Sequence, residues 1–425
     1  MPSEPTPRPE GPPPSRAFVV TACVLAAIPT ALHAGSQTLF GGLSTDIRQA
    51  LEASSPSMGL MAAAFGLPVL LLSPAAGMLV DRLGARRTLP PAIMGYGMCC
   101  AWFGLSASIA NSTASRVAMG AFSAFLYPAF IAVSMRLVPA DRRQQVVGRM
   151  QLALGATAIL ASLAATPILA TDSWRAAFWT TAALMVALGA VLGRTLRSPY
   201  LTGHRGAGSP LPPLSVRQAL EVPDIRRACA VAFVTGGLMI AFSGLLNVAV
   251  ARIVWKLPES DWGLVNASFN LAYALGGVGL VHVTRRLGLA RTIRAMLLVL
   301  AGSTAAWAYL PLAIGTPAAC VVTFAVGLGT SAMSLATTVA VRAVPVASSG
   351  VAAALSIAAM SCGGMAFQAG TMASAAIPGT TPIERAHGCA AVVIAAVLLA
   401  YVTARRIEDF SPRRTPSGAA RSGWD

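Results

Sequence analysis

The sequence predicts an all-α membrane protein in which twelve transmembrane helices form two pseudo-repeated halves of six helices each. Hydrophobic residues make up 55% of the 425 residues and charged residues only 11%, whereas soluble proteins carry about 25% charged residues. The charges stand in short clusters between apolar runs of about 20 residues or more, the length that crosses a bilayer. The stretch 82–88, RLGARRT, returns in degraded form at 286–292 as RLGLART, each time after an apolar run. Such a repeat indicates a duplicated helical bundle.

The twelve spans follow from the positions of the apolar runs. In the first half they are expected at about 17–40, 58–80, 88–110, 115–138, 146–170 and 176–196. In the second half they are expected at about 228–254, 262–283, 292–314, 316–341, 350–377 and 388–402. Several spans contain prolines, which membrane helices tolerate because neighbouring helices can satisfy the freed backbone groups.

The segments outside the spans divide the chain into five parts. Residues 1–16 are proline-rich and lack apolar periodicity, which predicts a disordered cytoplasmic tail, and residues 405–425 form a second, charged tail. Residues 197–227 are polar and proline-rich, and we interpret them as a cytoplasmic linker between an N-terminal half, 17–196, and a C-terminal half, 228–404. A cleaved signal peptide is an alternative for the N-terminus, but the first apolar run continues past the candidate cleavage site, which favours a retained helix.

The distribution of arginine predicts the orientation in the membrane. With the N-terminus inside, most arginines fall in inner loops and tails, and the outer side keeps only Arg48, Arg175, Arg252, Lys256 and Arg385. Because cytoplasmic loops retain basic residues, both termini are expected in the cytoplasm of a plasma (inner) membrane. Arginine almost completely replaces lysine, which is typical of a GC-rich bacterial genome, so a bacterial origin is expected.

Other classes of protein fit the sequence less well. A net charge of +16 suggests nucleic-acid binding, but the basic residues lie at helix boundaries and form no basic face, so no nucleic-acid partner is expected. The seven cysteines lie in apolar runs without CxxC spacing, which predicts neither a metal site nor another cofactor. No Ser/His/Asp order or HExxH pair supports an intramembrane enzyme.

The charged turn after the second span has a specific pattern. Its residues match the form Gly-x-Leu-x-Asp-Arg-x-Gly-x-Arg-Arg at Gly77, Leu79, Asp81, Arg82, Gly84, Arg86 and Arg87. This turn resembles the loop between the second and third helices of the major facilitator superfamily (MFS). Two shorter likenesses agree with it: RVAMG at 116–120 resembles the family's Arg-x-x-x-Gly element, and WRAAF at 174–178 its Trp-Arg-x-x-Phe element.

The resemblance implies the MFS fold and secondary active transport of a small solute by alternating access, with a proton or another ion as the candidate coupling partner. A monomer in a lipid bilayer is expected. Residues 155–167, within the fifth span, lack the Gly-Pro-rich signature of the family's proton-coupled drug exporters. A proton-coupled drug or metabolite efflux pump therefore stays an alternative, as does a non-transporting membrane sensor with the same fold.

A gate is predicted at the inner end of the second span. Asp81 stands there, and the eleventh span begins on the same side near Gly350, where the first amides of the helix lack partners. The helix dipole favours a carboxylate at that position, and Arg136 or Arg142 is expected to hold the acid from the other side. Arg285 replaces the acid in the second copy, which therefore cannot make the same contact. The alternative is that Asp81 and its arginines only set topology.

Polar residues within spans are candidates for the solute path, because they are costly in a membrane and often functional. The ionisable candidates are Arg116, His33 and Asp46, the last at the outer end of the first span. The neutral candidates are Gln37, Gln151, Asn247, Asn266, Asn270 and Gln368. Snorkelling of Arg116 and packing or hydrogen bonding between helices by the others are the alternatives. Because no acid is expected at mid-membrane, the predicted solute is a small organic anion or a neutral metabolite.

Overall fold

The computed structural model describes residues 15–138, 142–169, 174–196, 201, 214–247, 250–251, 254–309, 315–375 and 381–407. Within these ranges the chain is all-helical and contains no strand. The predicted tails lie outside the described residues, apart from 15–16 and 405–407, and so does most of the predicted linker.

Eight helices precede the linker. They are α1 Arg16–Gly42, α2 Ser44–Ala50, α3 Ser55–Leu83, α4 Ala85–Leu105, α5 Ile109–Ser123, α6 Leu126–Leu137, α7 Arg143–Leu169 and α8 Trp174–Thr195. The first helix is capped by the Ser15 hydroxyl, which accepts the Phe18 amide at 3.2 Å. The first span does not continue unbroken to residue 50, because α1 ends and the separate short α2 follows.

The remaining elements follow the same pattern. They are α9 Val216–Glu221, α10 Pro223–Ala241, a π-helical turn Phe242–Leu246, α11 Glu259–Leu287, α12 Leu289–Tyr309, α13 Thr316–Thr330, α14 Ala332–Arg342, a 3₁₀ turn Val346–Ser348, α15 Ser349–Ala375 and α16 Pro382–Ala404. Helix α10 begins earlier than the predicted half at 228, because Pro223 suits the first helical turn.

Nine helical segments of the described chain are long and apolar enough to cross a membrane. They are Arg16–Gly42, Leu60–Leu83, Ile109–Leu137, Trp174–Thr195, Asp261–Leu287, Leu289–Tyr309, Thr316–Arg342, Val346–Gln368 and Ile383–Ala404. The predicted spans at 88–110, 146–170 and 228–254 contain α4, α7 and α10, which are helical but not among the nine. The count of twelve spans and the division into two halves remain predictions.

A break divides the fourth predicted span into α5 and α6. Pro128 has no amide hydrogen, so the carbonyl of Ala124 cannot receive the regular helical bond from it. The chain tightens at this point, where the Phe125 amide donates to the Phe122 carbonyl at 3.2 Å. The two helices still form one apolar segment of 29 residues.

The repeated charged turn has the same backbone geometry in both copies. Gly84 ends α3 with φ 82°, and Gly288 ends α11 with φ 86°. These values lie in the left-handed region, which favours glycine. Four residues later, the hydroxyls of Thr88 and Thr292 donate to the carbonyls of the two glycines at 3.0 and 2.7 Å. The repeated sequence therefore also has a repeated backbone structure.

Helices from the first and second parts of the chain pack on each other. Helix α3 packs against α15, α7 against α11, and α1 against the π-helical turn. Glycine permits two of these approaches: a Cβ on Gly77 would lie 2.6 Å from the Gly350 carbonyl oxygen, and one on Gly155 would lie 2.9 Å from the Asn270 carbonyl oxygen. Large apolar side chains such as Leu71, exposed on the outside, suit contact with lipid.

Candidate functional site

Asp81 joins the end of α3 to the start of α15. Its side chain is completely buried. Oδ1 accepts the Gly350 amide at 3.1 Å, and Oδ2 accepts the Val351 amide at 2.9 Å. Both amides belong to the first turn of α15, where helical N–H groups lack intrahelical partners and the dipole favours a negative charge. The structure thus brings Asp81 and Gly350 together, although 269 positions separate them in sequence.

The Arg136 side chain contacts the same end of α3 through the backbone of Asp81. Its Nη2 donates to the backbone carbonyl of Asp81 at 3.3 Å. Arg142, the other predicted partner, lies exposed in the turn before α7. The contact of Arg136 with a carbonyl oxygen fastens α6 to α3 and leaves both carboxylate oxygens of Asp81 bonded to α15.

The other residues of the turn have distinct environments. Gly77 is buried one helical turn before Asp81, on the same face of α3, where any side chain would meet the α15 backbone. Gly84 provides the left-handed residue between α3 and α4. Arg82, Arg86 and Arg87 are exposed. The glycines therefore provide backbone proximity and conformation, while the arginines lie at the polar surface of this end of the bundle.

A contact beside Asp81 was not anticipated from the sequence. The Ser348 hydroxyl accepts the backbone amide of Leu214 at 3.0 Å. Ser348 lies two residues before Gly350, and Leu214 immediately precedes a capping box in which Ser215 and Gln218 exchange hydrogen bonds. The linker is thus attached through Leu214 next to the Asp81 contact, and only the capping box gives a local signal for it.

Arg116 is a buried cation enclosed by aromatic rings. Its side chain is only 2% exposed. The guanidinium carbon lies 4.1 Å from the ring centroid of Phe40 and 4.8 Å from that of Phe65, within the range of cation–π attraction. Nε and Nη1 have no hydrogen-bond partner within the described part of the chain. Arg116 therefore lies among the helices of the N-terminal part, with two donor nitrogens that the described residues leave without an acceptor.

Two other predicted residues, His33 and Gln37, lie in the same cluster, which also contains Tyr96. The His33 ring stacks on Phe65 at 5.6 Å and meets Tyr96 edge-on at 5.2 Å, and its Nε2 has no partner in the described chain. Gln37 Nε2 donates to the Tyr96 hydroxyl at 3.0 Å. Ser36 also bonds that hydroxyl, at 2.7 Å. Tyr96 organises this cluster and was missed by the sequence analysis, since its role depends on helices distant in sequence.

The three predicted asparagines of the C-terminal part differ in their bonding. Asn270 is satisfied: its Oδ1 accepts from the Ser243 hydroxyl at 3.2 Å, and its Nδ2 donates to the Asn266 carbonyl at 2.9 Å. Asn266 Nδ2 donates to the Ser162 hydroxyl of α7 at 3.5 Å, while its Oδ1 has no partner among the described residues. Asn247 is fully buried, and neither of its amide atoms has one.

The remaining candidates lie apart from these groups. Asp46 is half-buried in α2, beyond the end of α1. Gln368 is half-buried in α15, and the side chain of Gln151 lies outside the described residues. An apolar groove of about 690 Å³ between α7, α11 and α13 is lined by none of the predicted path residues. The described residues contain no group of three metal-binding side chains.

Comparison with known proteins identifies the class of protein to which this fold belongs. The family profile of the Major Facilitator Superfamily matches residues 26–369. The chain therefore belongs to the Major Facilitator Superfamily, as its charged turn predicts. The family indicates a membrane transporter and not an enzyme.

Individual relatives are more distant. A segment of 104 residues is 28% identical to "Multidrug resistance protein 2" of Bacillus subtilis (strain 168), covering 24% of this chain and 26% of that protein. The structure is similar to that of the human organic anion transporter MFSD10 (TETRAN), with a TM-score of 0.70, 16% identity and coverage of 92% and 100%. It is also similar to a bacterial homologue of the iron transporter ferroportin in an outward-facing state, with a TM-score of 0.72, 16% identity and coverage of 91% and 98%. At these identities the two structures establish the fold alone.

Proposed function

We propose that this protein is a secondary active transporter that moves a small organic anion or a neutral metabolite by alternating access. The observation that carries the proposal is Arg116, whose buried guanidinium has two nitrogens without an acceptor in the described chain. A buried charge is costly unless a counter-charge or hydrogen bonds compensate it. A carboxylate or another acceptor on the solute would provide that compensation when the helices around Arg116 separate.

The proposal includes a gate at Asp81. Alternating access requires contacts between the two halves that break and reform in each cycle. Two hydrogen bonds from α15 amides to one carboxylate form such a contact, since they join two helices through bonds that can break and reform. In this proposal twelve spans form two halves in a bacterial plasma membrane, the protein acts as a monomer, and both termini lie in the cytoplasm.

A proton-coupled drug or metabolite efflux pump is the second candidate. It is favoured by the similarity of one quarter of the chain to a multidrug resistance protein. His33 contacts the same Phe65 ring as Arg116 and is a titratable group of this cluster. A non-transporting sensor with this fold would need no reversible gate, and it is distinguished from both transporters by the absence of flux.

Flux into proteoliposomes tests the proposal. Benzoate, benzamide and benzylammonium form a matched set of anionic, neutral and cationic solutes, and uptake of the first or second is expected. Arg116→Gln should weaken benzoate binding by about tenfold to 150-fold, since hydrogen bonds to charged groups contribute about 1.5–3 kcal/mol. Arg48→Gln, an exposed arginine of α2, is the control and should leave uptake unchanged. Transport of benzylammonium alone, abolished by Asp46→Asn, would reverse the predicted solute charge.

A further inference from the structure

Asn247 follows an irregular helical turn that directly continues helix α10. The turn Phe242–Leu246 is π-helical, and the Asn247 amide donates to the carbonyl of Phe242, five residues earlier. π-Helical turns are rare in proteins and are found frequently at functional sites. This one packs against α1 of the N-terminal part and against α11. Asn247 therefore lies where elements from both parts of the chain meet.

The side-chain amide of Asn247 is buried without a hydrogen bond to any described residue. The residue has no exposed surface, and both Oδ1 and Nδ2 lack a hydrogen-bond partner among the described residues. Burying a polar group without hydrogen bonds is unfavourable, and most buried polar side chains in native structures are satisfied. An unsatisfied buried side-chain amide in this position needs an explanation that the described part of the chain does not provide.

The neighbouring Asn270 shows that this region can satisfy a buried amide. Its oxygen and nitrogen are both bonded, to the Ser243 hydroxyl in the π-helical turn and to the Asn266 carbonyl in its own helix. The two asparagines are chemically identical and nearly equally buried, yet among the described residues only Asn270 has side-chain partners. Asn270 has the role of a structural bridge between helices, and Asn247 does not.

We infer that Asn247 is a solute-binding residue whose amide pairs with a neutral group carrying both a donor and an acceptor, such as a carboxamide. A metal cation would use only Oδ1 and would leave Nδ2 unpaired, because the amide nitrogen is a donor. A carboxylate would use only Nδ2, because it is purely an acceptor. A donor–acceptor group satisfies both atoms. This inference rests on the proposed transport function and assigns Asn247 a role in solute specificity.

The test compares Asn247→Leu with Asn270→Leu in the purified full chain, using thermal unfolding. Leucine has a similar branched shape and no polar atoms. Without solute, Asn247→Leu should unfold a few degrees above the wild type, because it removes two unpaired buried groups. Asn270→Leu should unfold below the wild type, because it leaves a bonded partner unpaired. If Asn247→Leu does not yield folded protein, Asn247→Ala replaces it in the solute measurements.

Benzamide and methyl benzoate are the probes. Benzamide carries a donor and an acceptor, whereas the ester has only acceptors. Benzamide should raise the unfolding temperature of the wild type and of Asn270→Leu. For Asn247→Leu, the same rise should require at least a tenfold higher benzamide concentration. In the wild type, benzamide should raise the unfolding temperature more than methyl benzoate does. The inference is overturned if benzamide fails to shift the wild type, if the shift persists in Asn247→Leu, or if Asn247→Leu is destabilised like Asn270→Leu.

The outcomes for the two proposals are separable. If the wild type transports benzoate or benzamide and Asn247→Leu transports both equally well, the role of Asn247 is wrong and the transport function stands. If the wild type transports no member of the matched set, the proposed function fails, and a benzamide shift that depends on Asn247 would then indicate a binding protein.

Discussion

Replacing Asp81 by asparagine tests the gate most directly, because the substitution removes the charge and keeps the shape. The asparagine oxygen can accept one of the two α15 amides. Its nitrogen is a donor and cannot accept the other, so either Gly350 or Val351 loses its partner. Both wild-type bonds are made to a fully buried carboxylate. The closed contact between α3 and α15 should therefore weaken, while the rest of the fold is unaffected.

The size of the effect follows from the bonds that change. Two hydrogen bonds to a charged group contribute about 1.5–3 kcal/mol each, and a single neutral bond about 0.5–1.5 kcal/mol. The carboxylate also loses solvation on burial, which offsets part of that difference. A net loss of about 2–3 kcal/mol is a reasonable magnitude, and it corresponds to roughly a 30-fold to 150-fold shift toward the open contact.

Hydrogen exchange of the peptide that contains residues 345–355 measures this shift. The amides of Gly350 and Val351 exchange only when the bonds to Asp81 open, so their exchange rate in Asp81→Asn should rise by about 30-fold or more. Transport into proteoliposomes should slow strongly, because the closed state becomes rare in the cycle. Expression and membrane insertion should remain close to those of the wild type.

Asp224→Asn is the matched control. Asp224 lies in the first turn of α10 and forms an ion pair with Arg227 at 2.8 Å, so it is also an acid near a helix N-terminus. Asp81 joins two different helices, whereas the Asp224–Arg227 ion pair joins residues three positions apart on one helix. Its loss should leave both exchange at residues 345–355 and transport unchanged. Wild-type exchange and wild-type flux in Asp81→Asn would show that Asp81 sets topology or structure and is not a gate.

Three further predictions concern the packing and orientation of the same region. Gly77→Ala should abolish transport, because its Cβ would clash with the α15 backbone, whereas Gly279→Ala, with open space around it, should transport normally. Ser348→Ala should increase hydrogen exchange in residues 214–221, because the linker loses its acceptor; unchanged exchange would show that the contact contributes nothing. In intact cells lacking the native cysteines, a membrane-impermeant thiol reagent should label a cysteine at Ser260 and not one at Gly208; the opposite pattern would invert the topology.

The charged turns were the most predictable part of the structure. Their residues carry strong local constraints: the position after an apolar run places them at a membrane boundary, and glycine is favoured at the left-handed backbone angle that ends the helix. The same constraints act in both copies, which is why Gly84 and Gly288 have nearly equal φ values. The meeting of Asp81 with the start of α15 was predictable for a related reason, since an acid and a row of unpaired amides complement each other.

Partners between distant helices were not predictable from hydropathy. The sequence pattern shows that a residue lies in a span, but not which face of the helix it occupies or which helix lies opposite. Tyr96 and Ser348 were missed for this reason, since each acts through a contact with a residue far away in sequence. The π-helical turn Phe242–Leu246 was also missed, although it contains the pair Ser243-Gly244, at which helices often become irregular.

The bonding of buried polar groups provides a physical basis for separating structural, gating and solute-binding residues. The Tyr96 hydroxyl is bonded by Ser36 and Gln37 of a neighbouring helix, and its loss should reduce stability. The Asp81 carboxylate is bonded across the two parts of the chain, and its loss should change the equilibrium between conformations.

Arg116 and Asn247 are buried with polar atoms that have no hydrogen-bond partner among the described residues, and burying such atoms is costly. Stability alone does not explain such residues, because apolar replacements would be less costly. A solute that bonds them recovers this cost only in the state in which it is bound, and a ligand shifts a conformational equilibrium only through such differential interactions. The same unsatisfied groups can therefore determine which solute is bound and couple its binding to closure of the protein around it.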